Sequence, residues 1–124
     1  MVQFGNVIPV LRSFDEAKVR EFYVEFLGFE IEFEHRFSDN APLYLGLKQG
    51  ACRLHISEHY GDSSPGVSVR IATDDVVGYM RTLNAKGYKF AGPGTEEREP
   101  TPWGTIEATI ADPFGNKLTF VQDG

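Results

Sequence analysis

One order of elements occurs twice in this chain. A strand, a helix opened by aspartate, a glycine-aromatic exit and further strands run first over Val7 to Ser57 and again over Val67 to Val121. In the first pass the helix Asp15 to Phe26 leads into Leu27-Gly28-Phe29-Glu30-Ile31. In the second, Asp74 to Ala85 leads into Lys86-Gly87-Tyr88-Lys89-Phe90. The duplication constrains the fold to two like modules, and the residues lining the groove between them decide the function.

The elements follow from periodicity. Val7 to Leu11 reads as a strand, after which Ser13 or Asp15 caps a helix whose apolar Val19, Phe22, Tyr23 and Phe26 recur at three and four residues. Gly28 ends it in the manner of a residue just past a helix C-terminus. Phe29, Ile31, Phe33, His35 and Phe37 then alternate with Glu30, Glu32, Glu34 and Arg36, a period of two that places all five on one face of a strand. Leu43 to Lys48 and Ala51 to Ser57 pair across a Gln49-Gly50 turn. In the second half, Val67 to Ile71 is a strand, Asp74 or Asp75 caps the helix and Gly87 stops it. Tyr88 to Ala91 is expected as another strand, 92–102 as an irregular loop, and Thr105 to Ala111 and Lys117 to Gln122 as a pair joined by Asp112-Pro113-Phe114-Gly115-Asn116. The prediction is an α+β fold, βαβββ twice: a single domain, 1–124, with module 1 at 1–57, a linker at 58–66 and module 2 at 67–124.

Composition narrows the function. A net charge of −6 argues against a nucleic-acid phosphate surface and is compatible with a cationic ligand. The single cysteine, Cys52, allows no intramolecular disulfide, and the N-terminus has no signal-like apolar run, so a cytoplasmic protein that touches no membrane is expected. There is no serine elbow or phosphate-binding glycine loop, and His35 and His59 build no recognisable triad.

The phrases Glu21-Phe22-Tyr23-Val24-Glu25-Phe26-Leu27-Gly28-Phe29 and Ala111-Asp112-Pro113-Phe114-Gly115-Asn116-Lys117-Leu118 resemble the vicinal oxygen chelate superfamily of glyoxalases, extradiol dioxygenases, fosfomycin-modifying enzymes and bleomycin resistance proteins. The resemblance covers nearly the whole chain. It implies two βαβββ modules whose sheets curl into a cup, with the helices on the outer faces. Alternation then assigns the cup-facing residues: Arg53, His55 and Ser57 opposite Leu54 and Ile56; Thr105, Glu107 and Thr109 opposite Ile106, Ala108 and Ile110; Thr119 and Val121; Ser68 and Arg70. Cys52 shares the helix side with Leu54. Metalloenzymes of the superfamily carry a ligand on each of four strands, and the corresponding positions here are Ile8, His55, Ser68 and Thr119. One imidazole with two hydroxyls and an alkyl group is a poor set for a divalent ion, so no metal and no cofactor is expected.

Within the superfamily, Arg53-Leu54-His55-Ile56-Ser57, Pro102-Trp103-Gly104-Thr105 and the opening Phe4-Gly5 with Ile8-Pro9-Val10-Leu11 look like the bleomycin resistance proteins. That resemblance implies stoichiometric sequestration of a bleomycin-type antibiotic without catalysis, by a homodimer that exchanges its N-terminal strand and forms its grooves at the interface. A flat heteroaromatic would stack on Trp103, the one tryptophan, unless that ring is a capping core residue; Phe37 is the opposing ring, with Phe33 and His35 on its face. Glu107 is the first choice for a cationic ligand group, with Asp62, Glu96, Glu97 and Glu99 adding negative potential at the mouth. Arg53, His55, Ser57, Asp39 and Asn40 are candidate hydrogen-bond partners, beside Gly104 and Thr105 at the entry to the strand. The alternatives are a metalloenzyme of the same fold using His55 and a binding module for another flat aromatic.

Overall fold

The structure, a computed structural model, describes residues 1–94 and 97–124. Two small sheets and two helical segments make up the α+β chain. The elements are β1 (Val10–Arg12), α1 (Glu16–Val19) continuing directly into a π-helical segment (Arg20–Phe26), β2 (Glu30–His35), β3 (Tyr44–Gln49), β4 (Cys52–Ser57), β5 (Ser68–Ala72), α2 (Val76–Ala85), β6 (Thr105–Ala111) and β7 (Lys117–Asp123). The first sheet has the order β1-β4-β3-β2 and the second β5-β7-β6. In each, the strand before the helix pairs in parallel with the last strand of its half, β1 with β4 and β5 with β7, and the remaining pairs are antiparallel.

Both helices begin where a carboxylate accepts from an otherwise unpaired backbone N–H: Asp15 from Lys18 N at 3.2 Å, and Asp75 from Gly78 N at 3.0 Å. Both end at a glycine with positive φ, +90° at Gly28 and +65° at Gly87, a backbone that a Cβ would strain. The wide turn after Val19 bonds Leu27 N to Phe22 O and Phe29 N to Tyr23 O, both 2.9 Å, and it turns Phe22, Tyr23 and Phe26 all inward. A spacing of three and four residues suits either helix type, which is why the sequence does not separate them.

The helices enter one core with the apolar faces of the two sheets. Leu45, Leu47, Leu54 and Ile56 of the first sheet and Ala108, Ile110, Leu118 and Phe120 of the second belong to the same buried cluster as Phe22, Tyr23, Met80 and Leu83. Contacts cross directly between halves: Phe26 meets Tyr88 at 4.7 Å between ring centroids, Tyr79 Oη donates to Leu27 O at 2.6 Å, and Lys86 Nζ donates to the helix-terminal carbonyls of Glu25 and Phe26. The Asp112–Asn116 turn ties the rest. Asp112 Oδ1 accepts from the N–H groups of Phe114 and Asn116, and its Oδ2 accepts from Tyr23 Oη at 2.7 Å and Asn116 Nδ2 at 2.8 Å. Asn116 in turn donates to Arg12 O and accepts from Val67 N, so one buried amide holds the ends of β1 and β5.

Three elements differ from expectation. The first strand is shorter and later than Val7 to Leu11, because only from Val10 onward does the chain pair with β4. Tyr88 to Ala91 forms no strand; Tyr88 instead packs on Phe26 and Phe90, and the second sheet has three strands. The pairing of β2 slips between Ile31 and Phe33, with Ile31 opposite Leu47 but Phe33 opposite Gly46. Leu45 and Leu47 face the core, so Gly46 faces away from it, and the bulge at Glu32 sends Phe33, His35 and Phe37 to the groove side, while Phe29 is buried in the core and Ile31, opposite Leu47, lies exposed on the other side of the strand. The five residues read as one face therefore divide into two.

Candidate functional site

On the groove face of the first sheet, alternation and the β2 bulge assemble an aromatic platform. Phe33 stacks nearly parallel to Tyr44, at 6.2 Å and 11°, and meets His55 edge-on at 5.2 Å; Tyr44 Oη is 2.8 Å from His55 Nδ1. Gly46 underlies it, since a Cβ at that position would lie within the Phe33 ring. Beyond it Phe37, 78% exposed, sits edge-on to His35 at 4.5 Å and to His59 at 5.5 Å. All three histidines of the chain thus contact a phenylalanine of one surface. Arg53 lies alongside, paired with Glu32, which the bulge brings to the same side.

The second sheet carries a separate group. Trp103 precedes β6 in a turn and is 67% exposed; its indole N–H donates to Glu107 Oε2 at 2.9 Å. The same oxygen accepts from Thr105 Oγ1 at 2.6 Å and Arg70 Nη2 at 2.7 Å. These donors, hydrogen bonds first, hold the Glu107 carboxyl well below the usual range, at about 2. Thr109 and Thr119 share a hydrogen bond further along the face. Among the described residues, no hydrogen bond, ion pair or ring contact joins the Phe33–Tyr44–His55 group to the Trp103–Glu107–Arg70 group.

The expected site residues are therefore in two clusters, and some have other duties. Phe33, His35, Phe37, Arg53 and His55 gather on the first sheet, and Trp103, Gly104, Thr105 and Glu107 on the second. Trp103 is exposed and not a capping core residue. Ser57 is fully buried, donates to Asp62 Oδ2 at 2.7 Å and accepts from His59 N, so both Ser57 and Asp62 brace the start of the linker instead of offering themselves freely to a ligand. Asp39, Asn40, Glu97 and Glu99 are exposed in loops, while Glu96 lies outside the described residues. Cys52 is half-buried against the core, which pushes its thiol pKa up and keeps it a poor nucleophile.

Sequence reasoning missed Tyr44, Gly46 and Glu32. Tyr44 was legible from its parity against the core residues Leu43 and Leu45. Glu32 and Gly46 were not, because a bulge leaves no mark in an unbroken alternation.

The residues at the four positions that the sequence resemblance matches to metal ligands do not make a site for a divalent ion. Ile8 offers no donor, Thr119 Oγ1 is engaged with Thr109, Ser68 is a lone exposed hydroxyl, and His55 has Nδ1 against Tyr44. No three of His, Cys, Asp or Glu cluster as ligands among the described residues. Among the same residues no helix is long and apolar enough to cross a membrane.

The fold and the paired groove faces define a glyoxalase-type protein, and the family model described as "Glyoxalase superfamily protein" matches residues 1–124. The chain belongs to that superfamily. Among solved structures it is similar to the bleomycin-binding protein of bleomycin-producing Streptomyces verticillus in complex with copper(II)-bleomycin, at 28% identity over 100% of this chain and 99% of that one, with a TM-score of 0.69. It is similar, too, to a bleomycin resistance determinant encoded on transposon Tn5, at 27% identity over 97% and 98%, with a TM-score of 0.72. The antibiotic-binding protein TnmS3 of Streptomyces sp. CB03234 shares the fold at 24% identity over the whole of both chains, with a TM-score of 0.76. No curated protein matches the chain.

Proposed function

We propose that this protein sequesters a bleomycin-type glycopeptide stoichiometrically, without chemical turnover, and so protects DNA in the cytoplasm. The observation that carries the reading is Trp103: an exposed indole whose N–H is fixed by Glu107, leaving its ring face for a flat heteroaromatic such as a bithiazole. Two solved relatives at 27% and 28% identity, one a bleomycin-binding protein holding copper(II)-bleomycin and the other a bleomycin resistance determinant, support the ligand class. The donor set at the family's metal positions supports binding without catalysis.

The two aromatic clusters lie apart in one chain, and an exchange of N-terminal segments in a homodimer would bring the Trp103 wall of one copy to the Phe33–Phe37 wall of the other. Phe4 and Val7, 97% and 88% exposed ahead of β1, are the apolar side chains such an exchange would bury. Titration with metal-free bleomycin, followed by tryptophan emission, tests the reading. Saturable quenching at one ligand per chain is expected, with Trp103→Ala weakening binding by about 2 kcal/mol, roughly 30-fold, as read by calorimetry. Absence of quenching, or a stoichiometric divalent ion in protein purified without chelator, would overturn it.

A further inference from the structure

Glu107 is the inward acid that the sequence offers to a ligand's positive charge, yet the fold has already spent it. All three of its hydrogen bonds, from Arg70 Nη2, Thr105 Oγ1 and Trp103 Nε1, fall on Oε2. Its side chain is only 14% exposed, whereas that of Arg70 is 58% exposed. Beside the indole the more exposed charged group is thus the guanidinium, while Glu107 Oε1 carries no hydrogen bond among the described residues. Register explains the arrangement: Arg70 lies opposite Thr119 on β7, Thr119 opposite Thr109 on β6, and Glu107 one step along the same face, so two long side chains meet across the intervening strand.

We propose that Arg70 sets the charge specificity of the Trp103 wall. By pairing with Glu107 Oε2 it offsets the carboxylate's charge and presents N–H donors beside it, so the wall accepts a flat ring whose edge carries oxygen acceptors and disfavours a cation at that point. A guanidinium has five N–H donors, and Glu107 takes one of them here. A ligand cation would have to displace this charge-assisted bond or sit against a like charge, and a carboxylate or amide oxygen would meet neither cost. The inference rests on Trp103 being the stacking face, as proposed above. It assigns a bleomycin's cationic tail to some other part of the groove, leaving amide or carboxylate oxygens for Arg70.

The test uses two bicyclic probes of equal size and opposite charge, 2-naphthoate and N-methylquinolinium. Dissociation constants are read from the NMR shift of the Trp103 indole N–H, unambiguous in a chain with one tryptophan. Wild type is expected to favour 2-naphthoate at least threefold. Arg70→Met, which exposes Glu107, should move the ratio at least tenfold toward the cation; Arg70→Lys should keep the wild-type order; and Glu107→Gln, which leaves Arg70 unpaired, should strengthen the preference for the carboxylate. If Arg70→Met does not fold, the Glu107→Gln ratio decides. A ratio unchanged within twofold in these charge-removing variants overturns the proposal, as does the absence of binding by either probe at millimolar concentration. Failure to bind metal-free bleomycin with the probe ratios behaving as expected removes the sequestration reading and leaves the role of Arg70 standing.

Discussion

At the scale of single residues, charge and close packing make separable predictions. The Glu107 carboxyl has its folded-state pKa lowered to about 2, so the stability it contributes is fully present above its ordinary value near 4.5 and is lost as pH falls through about 2. Because Trp103 donates to that carboxylate, indole emission should stay constant down to about pH 3 and change below it. A transition centred between pH 4 and 5 would show that the three donors do not hold the group in solution. Gly46→Ala tests the platform in a different way. The nearest atoms the added methyl meets belong to the Phe33 ring, which is 40% exposed and can shift toward solvent by leaving Tyr44 and His55. Thermal unfolding should therefore change by less than about 1 kcal/mol, while ligand affinity falls because the Phe33–Tyr44 stack is broken. The sequence put Glu107 in the groove but said nothing of its bonds, since Arg70 lies 37 positions away and only the β5–β7–β6 register brings the two together.

Elements were legible to the extent that one segment's own pattern fixes them. Asp15 and Asp75 at the helix starts, Gly28 and Gly87 at their ends, and the buried alternation of β4 and β7 all follow from local periodicity. The β2 bulge did not, because it is a property of pairing with β3 and flips parity without changing the composition of either side. Nor did the missing strand at Tyr88 to Ala91: a short apolar run satisfies a strand or a packed turn equally, and the ring of Phe26 claims Tyr88. The Asp112–Asn116 sequence predicts a tight return between strands, and its larger task is to join β1, β5 and the first helix through the buried Asp112 and Asn116 side chains. Asn116→Ala leaves Arg12 O, Val67 N and Asp112 Oδ2 each short of a partner around a buried side chain. Urea denaturation should register a loss of about 2–4 kcal/mol; a loss below 1 kcal/mol would mean that water replaces the amide and that the turn is not the staple it looks to be.

The whole molecule is a shared core with two polar-aromatic surfaces that no hydrogen bond, ion pair or ring contact joins among the described residues. Removing residues 1–8 leaves Pro9 O to accept from His55 N at 3.0 Å and spares every residue of the core, so the truncated chain is expected to fold. If the segment is exchanged between copies, the truncated chain sediments as a monomer and no longer quenches with bleomycin. A full-length chain that is monomeric under conditions where ligand binds would refute the exchange. The sequence by itself determined the order of the helices and most strands, the helix boundaries and the apolar faces of β4, β6 and β7, because each is written in residue type and short-range spacing. Tertiary structure alone decided that Phe33 and Phe29 face opposite ways, that Ser57 and Asp62 serve each other, and that Glu107 belongs to Arg70. Those outcomes depend on pairing register and on contacts between distant segments, where the free energy of one side chain is set by neighbours that no local pattern identifies.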